Sequence, residues 1–337
     1  MISVFKKLDN LKLELDKFRP IDESLLSTIQ EKLRIDWTYN SNAIEGNTLT
    51  YGETDFFLRE GLTSEGKPLK DYLEAKNHAE SIDLLHDYIR QKRKLSEGLI
   101  KELHALLLKG IEFTYARGMG GKIIKKTLTP GKYKTRPNHV LTTSGQVHHC
   151  TSPLHVLDEM EKLIKWLEKA KGMHPIEKAA IFHYEFVAIH PFDDGNGRLA
   201  RLLMNLIIMT AGFPPCVVRN SRRKRYLECL EIADIEKDKA PFVTFIAAEL
   251  LQTMEGIINV LAGKISGESK RKNTTLNKIQ RENLILKVIG KEHLSIGQML
   301  ELIPQIKRPT LKKDLGSLVK KNKIRARGKG RGVVYFL

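Results

Sequence analysis

Hydrophobic side chains recur every three or four residues along most of this chain, a spacing typical of amphipathic helices. In residues 22–40 one helix face carries Leu26, Ile29, Leu33 and Trp37. Asp22 or Ser24 can cap this helix, because either side chain accepts hydrogen bonds from free backbone N–H groups. Similar patterns predict helices at about 71–92, 96–109, after the Ser152-Pro153 cap, at 175–190, at 198–213, and at about 221–236 and 241–263.

The segment 198–213 is apolar nearly all round, so we expect it at the centre of a helical bundle, and the predicted fold class is all-α. Residues 118–149 depart from this pattern, because they are rich in Gly, Thr, Lys and Pro. The pair Ser144-Gly145 can form a hairpin turn. We therefore expect a long irregular segment or a β-hairpin, and such excursions in a helical protein are often functional.

The C-terminal part has an organisation of its own. Residues 264–275 are polar and basic and are predicted to be a linker. The following pattern predicts helices at 277–290, 295–303 and 308–321 and strands at 323–327 and 332–337. This is the order of a winged helix-turn-helix domain, with 308–321 as the recognition helix. A DNA-binding domain and a small docking domain with solvated lysines both fit it.

Charge is concentrated in the same C-terminal part. The 337 residues carry a net charge of +17. From Lys264 onward there are 19 Lys and Arg against 5 Asp and Glu, so residues 1–263 contribute only +3. Any binding of a polyanion is therefore expected to belong to the C-terminal domain.

Cysteine usage and hydropathy predict a soluble cytoplasmic protein. Cys150, Cys216 and Cys229 have no metal-like spacing, which argues against zinc and a disulfide framework and favours a reducing compartment. We expect no bilayer-spanning run and no membrane association. The charged, amphipathic N-terminus is unlike a secretion signal.

Candidate chemistry is densest in residues 190–201, HPFDDGNGRLAR. We expect a helix to end at His190 and another to begin at Arg198. The glycines of Gly195-Asn196-Gly197 allow close approach to backbone N–H groups at the new helix, which favours phosphate binding.

The side chains of this motif complete a nucleotide-phosphate site. Arg198 and Arg201, three residues apart, suit two different phosphates. Asp194 can hold Mg²⁺ between phosphates, and His190 can accept a proton from a hydroxyl near neutral pH. Each piece alone is ordinary: a core histidine, a turn, a solvated arginine pair. Together within one short segment they indicate nucleotide-phosphate chemistry.

This segment resembles the signature of the Fic family, His-Pro-Phe-x-Asp/Glu-Gly-Asn-Gly-Arg-x-x-Arg, at every fixed position. The similarity spans roughly residues 25–260. GKYKTRPNHV resembles the start of the Fic flap hairpin, and APFVTFIA resembles the final core helix. The implied organisation is an N-terminal helical region at 1–94, a catalytic core at 95–263 with a flap within 118–149, the linker, and a winged-helix-like domain at 276–337.

The resemblance implies transfer of AMP from ATP to a Ser, Thr or Tyr hydroxyl of a protein, with release of pyrophosphate. His190 would be the base, Asp194 would bind Mg²⁺, and Arg198 and Arg201 would hold the outer phosphates. Phe192 would anchor the loop. The flap, at about 137–149, would align the target by adding its main chain to the hairpin edge. The target could be the protein itself, and the resemblance also allows a homodimer.

Members of the Fic superfamily also carry out two other chemistries. Doc-like members phosphorylate their targets and replace the second glycine of the nest, so Gly197 argues against that activity. Phosphocholine transfer uses an inverted nucleotide pose that the sequence leaves open.

The part of the site that the resemblance assigns to the adenine base departs from the usual family pattern. It contains Tyr226 and Leu227 where relatives often have paired tyrosines, and Asp234 where they often have Asn. Lys134 stands where an arginine is usual at the start of the flap.

A further Fic resemblance lies in SNAIEG, residues 41–46, which is similar to the inhibitory helix of one class of the family. Glu45 would lie at the end of a helix, where the macrodipole disfavours negative charge, so it needs a cationic partner. The resemblance implies that this partner is Arg201 and that the pair takes the space of the γ-phosphate.

The leading hypothesis is a self-inhibited protein adenylyltransferase. One alternative is a de-AMPylase that uses the same site, with Glu45 positioning water. Another is a DNA-binding regulator in which the Fic body senses nucleotide.

Overall fold

A computed structural model describes residues 2–117, 123–142, 145, 147–263, 278–289, 294–303, 306, 308–328 and 333–336. The chain divides into two compact units, Met1–Ala262 and Gly263–Leu337. The predicted linker at 264–275 lies outside the described residues, and so does Ser144 of the predicted hairpin turn.

The first unit is built from helices, which confirms the predicted all-α class. Its helices are α1 Ile2–Asp16, α2 Glu23–Ile44, α3 Tyr51–Glu60, α4 Leu69–Arg90, α5 Glu97–Leu107, α6 Val156–Lys169, α7 Pro175–Ile189, α8 Asn196–Thr210, α9 Arg223–Ile235 and α10 Ala240–Leu261. Short 3₁₀ turns at Pro153–His155 and Asn220–Arg222 precede α6 and α9. Helices α1 and α3 were not predicted.

Side-chain caps explain several helix starts. The Asp22 carboxylate accepts from the Leu25 N–H at 3.1 Å, as expected for the start of α2. Thr50 and Glu53 form a reciprocal capping box that begins α3, a signal that the sequence analysis overlooked. Ser152 occupies a cap position before the 3₁₀ turn but makes no side-chain capping bond.

Two antiparallel hairpins interrupt the helices. β1 (Phe113–Arg117) pairs with β2 (Ile123–Thr127), and β3 (His139–Leu141) pairs with β4 (Val147–His149). The prediction of one excursion at 118–149 was therefore wrong at its start, because β1 begins at Phe113. We keep the name flap for residues 137–149, which contain β3 and β4.

Helix α8 lies in the core, as its apolar sequence predicted. Eleven of its residues are buried, from Asn196 to Ile208. On one side it packs into a cluster with Phe182 and Phe186 of α7, and on another it meets residues such as Phe242 and Ile246 of α10. The residues at the N-terminal end of α8 are thereby fixed in a rigid frame.

Helix α10 bears on the prediction that no run spans a bilayer. Among the described residues it is the one helix long and apolar enough to cross a membrane by length and composition. More than half of its most apolar window is buried within the protein. It also carries the fully buried Glu249, which pairs with Arg219 at 3.2 Å. These features are those of a core helix.

The second unit contains α11 (Lys278–Ile289), β5 (Leu294–Ser295), α12 (Ile296–Leu302), α13 (Arg308–Lys320), β6 (Arg325–Arg327) and β7 (Val334–Phe336). The strands form a sheet in the order β5-β7-β6. Ile285, Leu311, Leu315 and Leu318 are fully buried in its core. The predicted order of three helices and two strands is present, with β5 as an additional strand. DNA binding by this unit stays a prediction.

Candidate active site

The loop between α7 and α8 is shaped by two residues with positive φ. His190 ends α7 with φ 51°, and its N–H donates to the Phe186 carbonyl at 3.0 Å. Gly195, with φ 76°, precedes α8. The helix begins at Asn196, two residues before the predicted Arg198, because Gly195 supplies the turn into it. The Asn196 side chain closes the loop by accepting from the Phe192 N–H and donating to the Phe192 carbonyl.

Backbone donors are available at the start of α8. Its first helical hydrogen bond runs from the Leu199 N–H to the Gly195 carbonyl, at 3.0 Å. Within the described residues, the N–H groups of 196–198 therefore have no helical acceptor, and they lie at the positive end of the macrodipole. This arrangement suits an anion such as phosphate.

The buried side chain of Phe192 anchors the loop, as predicted. His104, which the sequence pattern did not reveal as a site residue, holds Phe192 in place. Phe192 is fully buried and stacks on His104 of α5 with ring centroids 3.7 Å apart. The Gly131 N–H donates to His104 Nδ1 at 2.8 Å, so the proton is on Nε2, which donates to the Asp194 carbonyl at 3.0 Å. Burial lowers the pKa of His104 to about 4 and keeps the ring neutral.

His190 is a neutral base in this environment. Burial, and then the nearby charge of Lys134, lower its pKa to about 4. Its ring can therefore accept a proton at neutral pH.

Lys134, which stands at the usual arginine position, ties the start of the flap to the loop. Its Nζ donates to Asn138 Oδ1 at 2.7 Å and to the Ile189 carbonyl at 3.2 Å. Burial lowers the pKa of Lys134 to about 8.

The two arginines of the motif are both engaged from the N-terminal helices. Arg198 contacts Glu74 of α4 at 3.0 Å and, more distantly, Asn42 of α2 at 3.5 Å. Arg201 is 2 % exposed and donates to Glu45 Oε1 at 2.8 Å, to the Ser41 carbonyl at 2.8 Å and to Ser41 Oγ at 3.0 Å. The pairing of Glu45 with Arg201 that the resemblance implied is present.

Glu45 lies directly against the start of α8. It occupies the C-cap of α2, and a Cβ added at Gly197 would overlap its carboxylate. An arginine therefore compensates the negative charge that the helix end disfavours. While Glu45 stays in place, Gly197 has no room for a side chain.

The segment after Glu45 is tethered to α4, a feature that periodicity did not predict. The Thr48 N–H and hydroxyl both donate to Asp71 Oδ2, at 2.8 and 2.5 Å. Asn47 donates to Glu74 Oε2 at 2.9 Å. Glu74 thus contacts both Arg198 and this segment, and it links the residues that follow Glu45 to the start of α8.

Asp194 is the candidate metal ligand. Burial alone would raise its pKa, but the Arg198 guanidinium and the Gly195 N–H hold it below the ordinary value. Its side chain is 30 % exposed. No cluster of three or more metal-ligating side chains occurs in the described part of the chain. A cation here would therefore share Asp194 with oxygens from a bound molecule, the usual manner of Mg²⁺.

A cavity of about 190 Å³ opens beside these groups. Its walls include Glu45, His190, Gly197, Tyr226, Leu227 and the flap residues Val140 and His148. Tyr226 is 2 % exposed, and its hydroxyl accepts from Arg201 at 3.3 Å. Asp234 is held by Tyr184 and by His148, each at 3.0 Å. The predicted adenine residues Tyr226 and Leu227 thus line the cavity, and their contact with a base stays a prediction.

The chain is similar in sequence and in structure to known proteins. The sequence model described as the Fic/DOC family matches residues 94–208. A Fic domain containing signaling protein from Bacteroides thetaiotaomicron is 32 % identical; the match covers 77 % of this chain and 97 % of that protein, with a TM-score of 0.68.

The chain belongs to the Fic/DOC family.

Two further Fic relatives extend the comparison to named proteins. The structure of Fic-1 (residues 134–508) from C. elegans is 28 % identical, with a TM-score of 0.64, and the match covers 77 % of this chain and 72 % of that one. Protein adenylyltransferase fic-1 from Caenorhabditis briggsae is 32 % identical over 254 residues, which is 73 % of this chain and 46 % of that protein. The chain therefore spans about half the length of the adenylyltransferases that it matches.

Within the Fic fold, Arg198 lies 4.0 Å from Asp194, and His190 lines a cavity together with Glu45, the partner of Arg201. The predicted roles of these residues stay predictions. The contributions of His104, Asp71 and Glu74 were missed. His104 lies in an apolar stripe with Ile100, Leu103 and Leu107, so it has the pattern of an ordinary core position. Asp71 and Glu74 had no local signal, since their partners are in α8 and in the segment after α2.

Proposed function

We propose that this Fic protein is a protein adenylyltransferase that is held inactive by Glu45. The observation that carries the proposal is the ion pair between Glu45 and Arg201, placed against the intact phosphate-binding motif. The names of the relatives that share about 32 % identity support the same activity. A protein side-chain hydroxyl is the proposed acceptor, in a target protein or in the chain itself.

The substrate ATP would bind with its phosphates at the N–H groups that begin α8. Arg198, and Arg201 once Glu45 has moved away from it, would hold the outer phosphates. Asp194, an oxygen ligand beside this nest, would hold Mg²⁺ together with those phosphates, and the cation would neutralise phosphate charge. The adenine would occupy the cavity lined by Tyr226 and Leu227.

The chemical step then needs one base from the protein. The acceptor oxygen forms a bond to the α-phosphorus while the bond from that phosphorus to the bridging oxygen breaks. The bonding pair leaves with pyrophosphate, and the hydroxyl proton goes to His190. A histidine with a pKa of about 4 is unprotonated at pH 7 and free to take that proton. The flap strands β3 and β4 offer the edge on which a target main chain could align.

Self-inhibition follows from competition for Arg201. Because Glu45 takes one Nη of Arg201 and covers Gly197, a terminal phosphate cannot use the same positions. Displacing Glu45 would make both available. The productive state is therefore expected to require movement of the end of α2.

The experiment is an incubation with ATP labelled at the α-phosphate, using the wild type, Glu45→Gly, His190→Ala and the double variant. We expect the label on protein to rise about 5- to 150-fold in Glu45→Gly, which corresponds to a typical coupling free energy of about 1–3 kcal/mol. The label should vanish when His190→Ala is added. Glu23→Gly, at an exposed acid in the first turn of α2, is the control. Glu45→Gly without label above the wild type would refute the proposal.

Removal of AMP is a second candidate, favoured by the position of Glu45 in the same cavity as His190. There the carboxylate would orient water toward an adenylylated side chain. Incubating a pre-labelled protein with the wild type separates the two. Loss of label that requires Glu45 would assign the reverse reaction.

The basic second unit favours an additional proposal, binding of DNA. A salt-dependent shift of DNA mobility that disappears on deletion of 270–337 would support it. A shift retained after deletion would assign DNA binding elsewhere. Cytoplasmic location and self-association remain further proposals, which fractionation of cells and sedimentation would test.

A further inference from the structure

The first unit contains a second cavity, of about 280 Å³, that shares no lining residue with the cavity beside His190. Residues from α1, α2, α4 and α10 and from the end of α8 surround it. The α2 residues in its wall include Leu26, Ile29, Leu33 and Trp37, the apolar stripe of that helix. The volume is close to that of pockets that hold small organic molecules.

One buried donor in the wall of this cavity lacks an acceptor. Trp37 is 2 % exposed, and its Nε1 has no hydrogen-bond partner among the described residues. An indole N–H can only donate, and buried donors are nearly always satisfied. A ligand that carries an acceptor would satisfy it.

Cations also surround the cavity in excess. Lys12 and Arg19 share one carboxylate, Asp16, at 3.4 and 3.0 Å, and Arg34 pairs with Asp83 at 2.6 Å. Three cations thus face two carboxylates. His86, also in the wall, adds no charge near neutral pH because burial lowers its pKa. An anionic group is therefore favoured at the cavity rim.

We propose that this cavity binds a small apolar organic anion and that the bound molecule holds α2 in its inhibitory position. The ligand would place an apolar ring or short chain between the helices. Its carboxylate, sulfonate or phosphate would accept from the Trp37 N–H and from the cations of the rim, Lys12 among them.

The link to the active site runs along α2. Trp37 lies one helical turn before Ser41, whose Oγ and carbonyl both contact Arg201. Trp37 also packs edge-on against the buried His78, with centroids 6.0 Å apart. Because six of the lining residues belong to α2 itself and three belong to α4, which packs on α2, a ligand loses many of its contacts when α2 moves away. It should therefore favour the state in which Glu45 meets Arg201. The proposal thus has two halves. The regulatory half, that the ligand holds α2 in its inhibitory position, rests on the proposed function, whereas the binding half, that the cavity binds the anion, does not.

Binding can be measured with 4-phenylbutanoate as the probe. Trp166→Phe leaves Trp37 as the single tryptophan, since the chain has 2. We expect a saturable change in its emission, with a dissociation constant on the order of 1 mM from typical ligand efficiencies. The neutral 4-phenylbutanamide and the cationic 4-phenylbutylammonium should bind at least about fivefold more weakly.

Lys12→Gln should weaken the carboxylate by a similar factor. Lys32→Gln, which removes an exposed lysine of α2 that pairs with Asp36 and does not line the cavity, should change nothing. No saturable change, or equal binding of all three head groups, would overturn the binding proposal. The head-group comparison uses one protein, so it decides even if Lys12→Gln fails to fold.

The regulatory half is tested by hydrogen exchange of the amides in 41–47. We expect the probe to slow this exchange, and to reduce labelling from ATP by the wild type in proportion to occupancy. Binding without slower exchange would refute the regulatory half. If the protein transfers no label under any condition, the proposed function fails, while the fluorescence and exchange results still decide the ligand site.

Discussion

Glu45 Oε1 lies 2.8 Å from Arg201 Nη2, although 156 positions separate the two residues in the chain. Arg201 is almost fully buried, whereas the Glu45 side chain is 39 % exposed. The arginine also keeps three other contacts, to the Ser41 carbonyl and hydroxyl and to the Tyr226 hydroxyl. Removing Glu45 therefore leaves the buried guanidinium hydrogen-bonded, so a change at Glu45 can alter access to Arg201 without unfolding the site.

Ser41→Ala should release the inhibition in part. The Ser41 hydroxyl accepts from Arg201 Nε at 3.0 Å, while the Ser41 carbonyl and Glu45 both accept from Arg201 Nη2. Losing one hydrogen bond of about 1 kcal/mol should raise labelling from ATP about fivefold. Ser27→Ala, at an exposed position of the same helix, is the control and should have no effect. A rate equal to that of Glu45→Gly would contradict this graded contribution.

His104→Phe should impair the site without removing its ring stacking. Phenylalanine can stack on Phe192 but cannot accept from the Gly131 N–H or donate to the Asp194 carbonyl. In the Glu45→Gly background we expect a loss of tenfold or more in kcat with a smaller change in KM, because Asp194 and the loop are positioned less well. The free energy of unfolding should fall by about 1–3 kcal/mol.

The control for this variant is His155→Phe, at an exposed position before α6, which should retain activity. An unchanged kcat in His104→Phe would mean that His104 supports only stability. Adding His104→Gln tests the hydrogen bonds further, since an amide can both accept and donate and should recover part of the activity.

The stretch 190–201 was predictable because its chemistry is local: a helix end, a glycine-containing loop and a helix start lie within one segment. The sequence of α8, which is apolar nearly all round, likewise predicted its burial. What could not be predicted were contacts between distant elements, such as Thr48 with Asp71. The start of the hairpin at Phe113 was missed because the change of composition begins only at Gly118, although Gly110, with φ 76°, marks the turn after α5. Helix α3 was missed because only its capping box marks it.

Stability should fall as the pH falls from about 6.5 toward 4. The pKa of His104, which is 1 % exposed, is lowered from 6.5 to about 4 in the folded protein. Between these values the unfolded chain binds a proton that the folded protein does not, so the unfolded state is favoured progressively by acid. The loss from this residue is at most about 3 kcal/mol, and His190 acts in the same direction.

Urea unfolding at about pH 7.5, 6 and 5 measures this dependence. His104→Phe should show a shallower decrease of the unfolding midpoint between about pH 6.5 and 5, because it removes one group that takes up a proton on unfolding. An identical pH dependence in the variant would show that His104 titrates alike in both states.

Gly197→Ala should reveal how closely Glu45 fits against the nest. A Cβ at this position would overlap the Glu45 carboxylate and would lie 3.3 Å from Arg201 Nη1. In the wild type, the methyl group must displace Glu45 from Arg201, so we expect a loss of about 1–3 kcal/mol in the free energy of unfolding. In the Glu45→Gly background the main obstacle is absent, and the same substitution should lower the free energy of unfolding much less.

Thermal or urea unfolding of the two single variants and the double variant gives the coupling free energy between Glu45 and the methyl group at position 197, expected at about 0.5–3 kcal/mol. Additive effects would mean that Glu45 does not occupy the space in front of Gly197 in solution, and the steric basis of the self-inhibition would have to be abandoned.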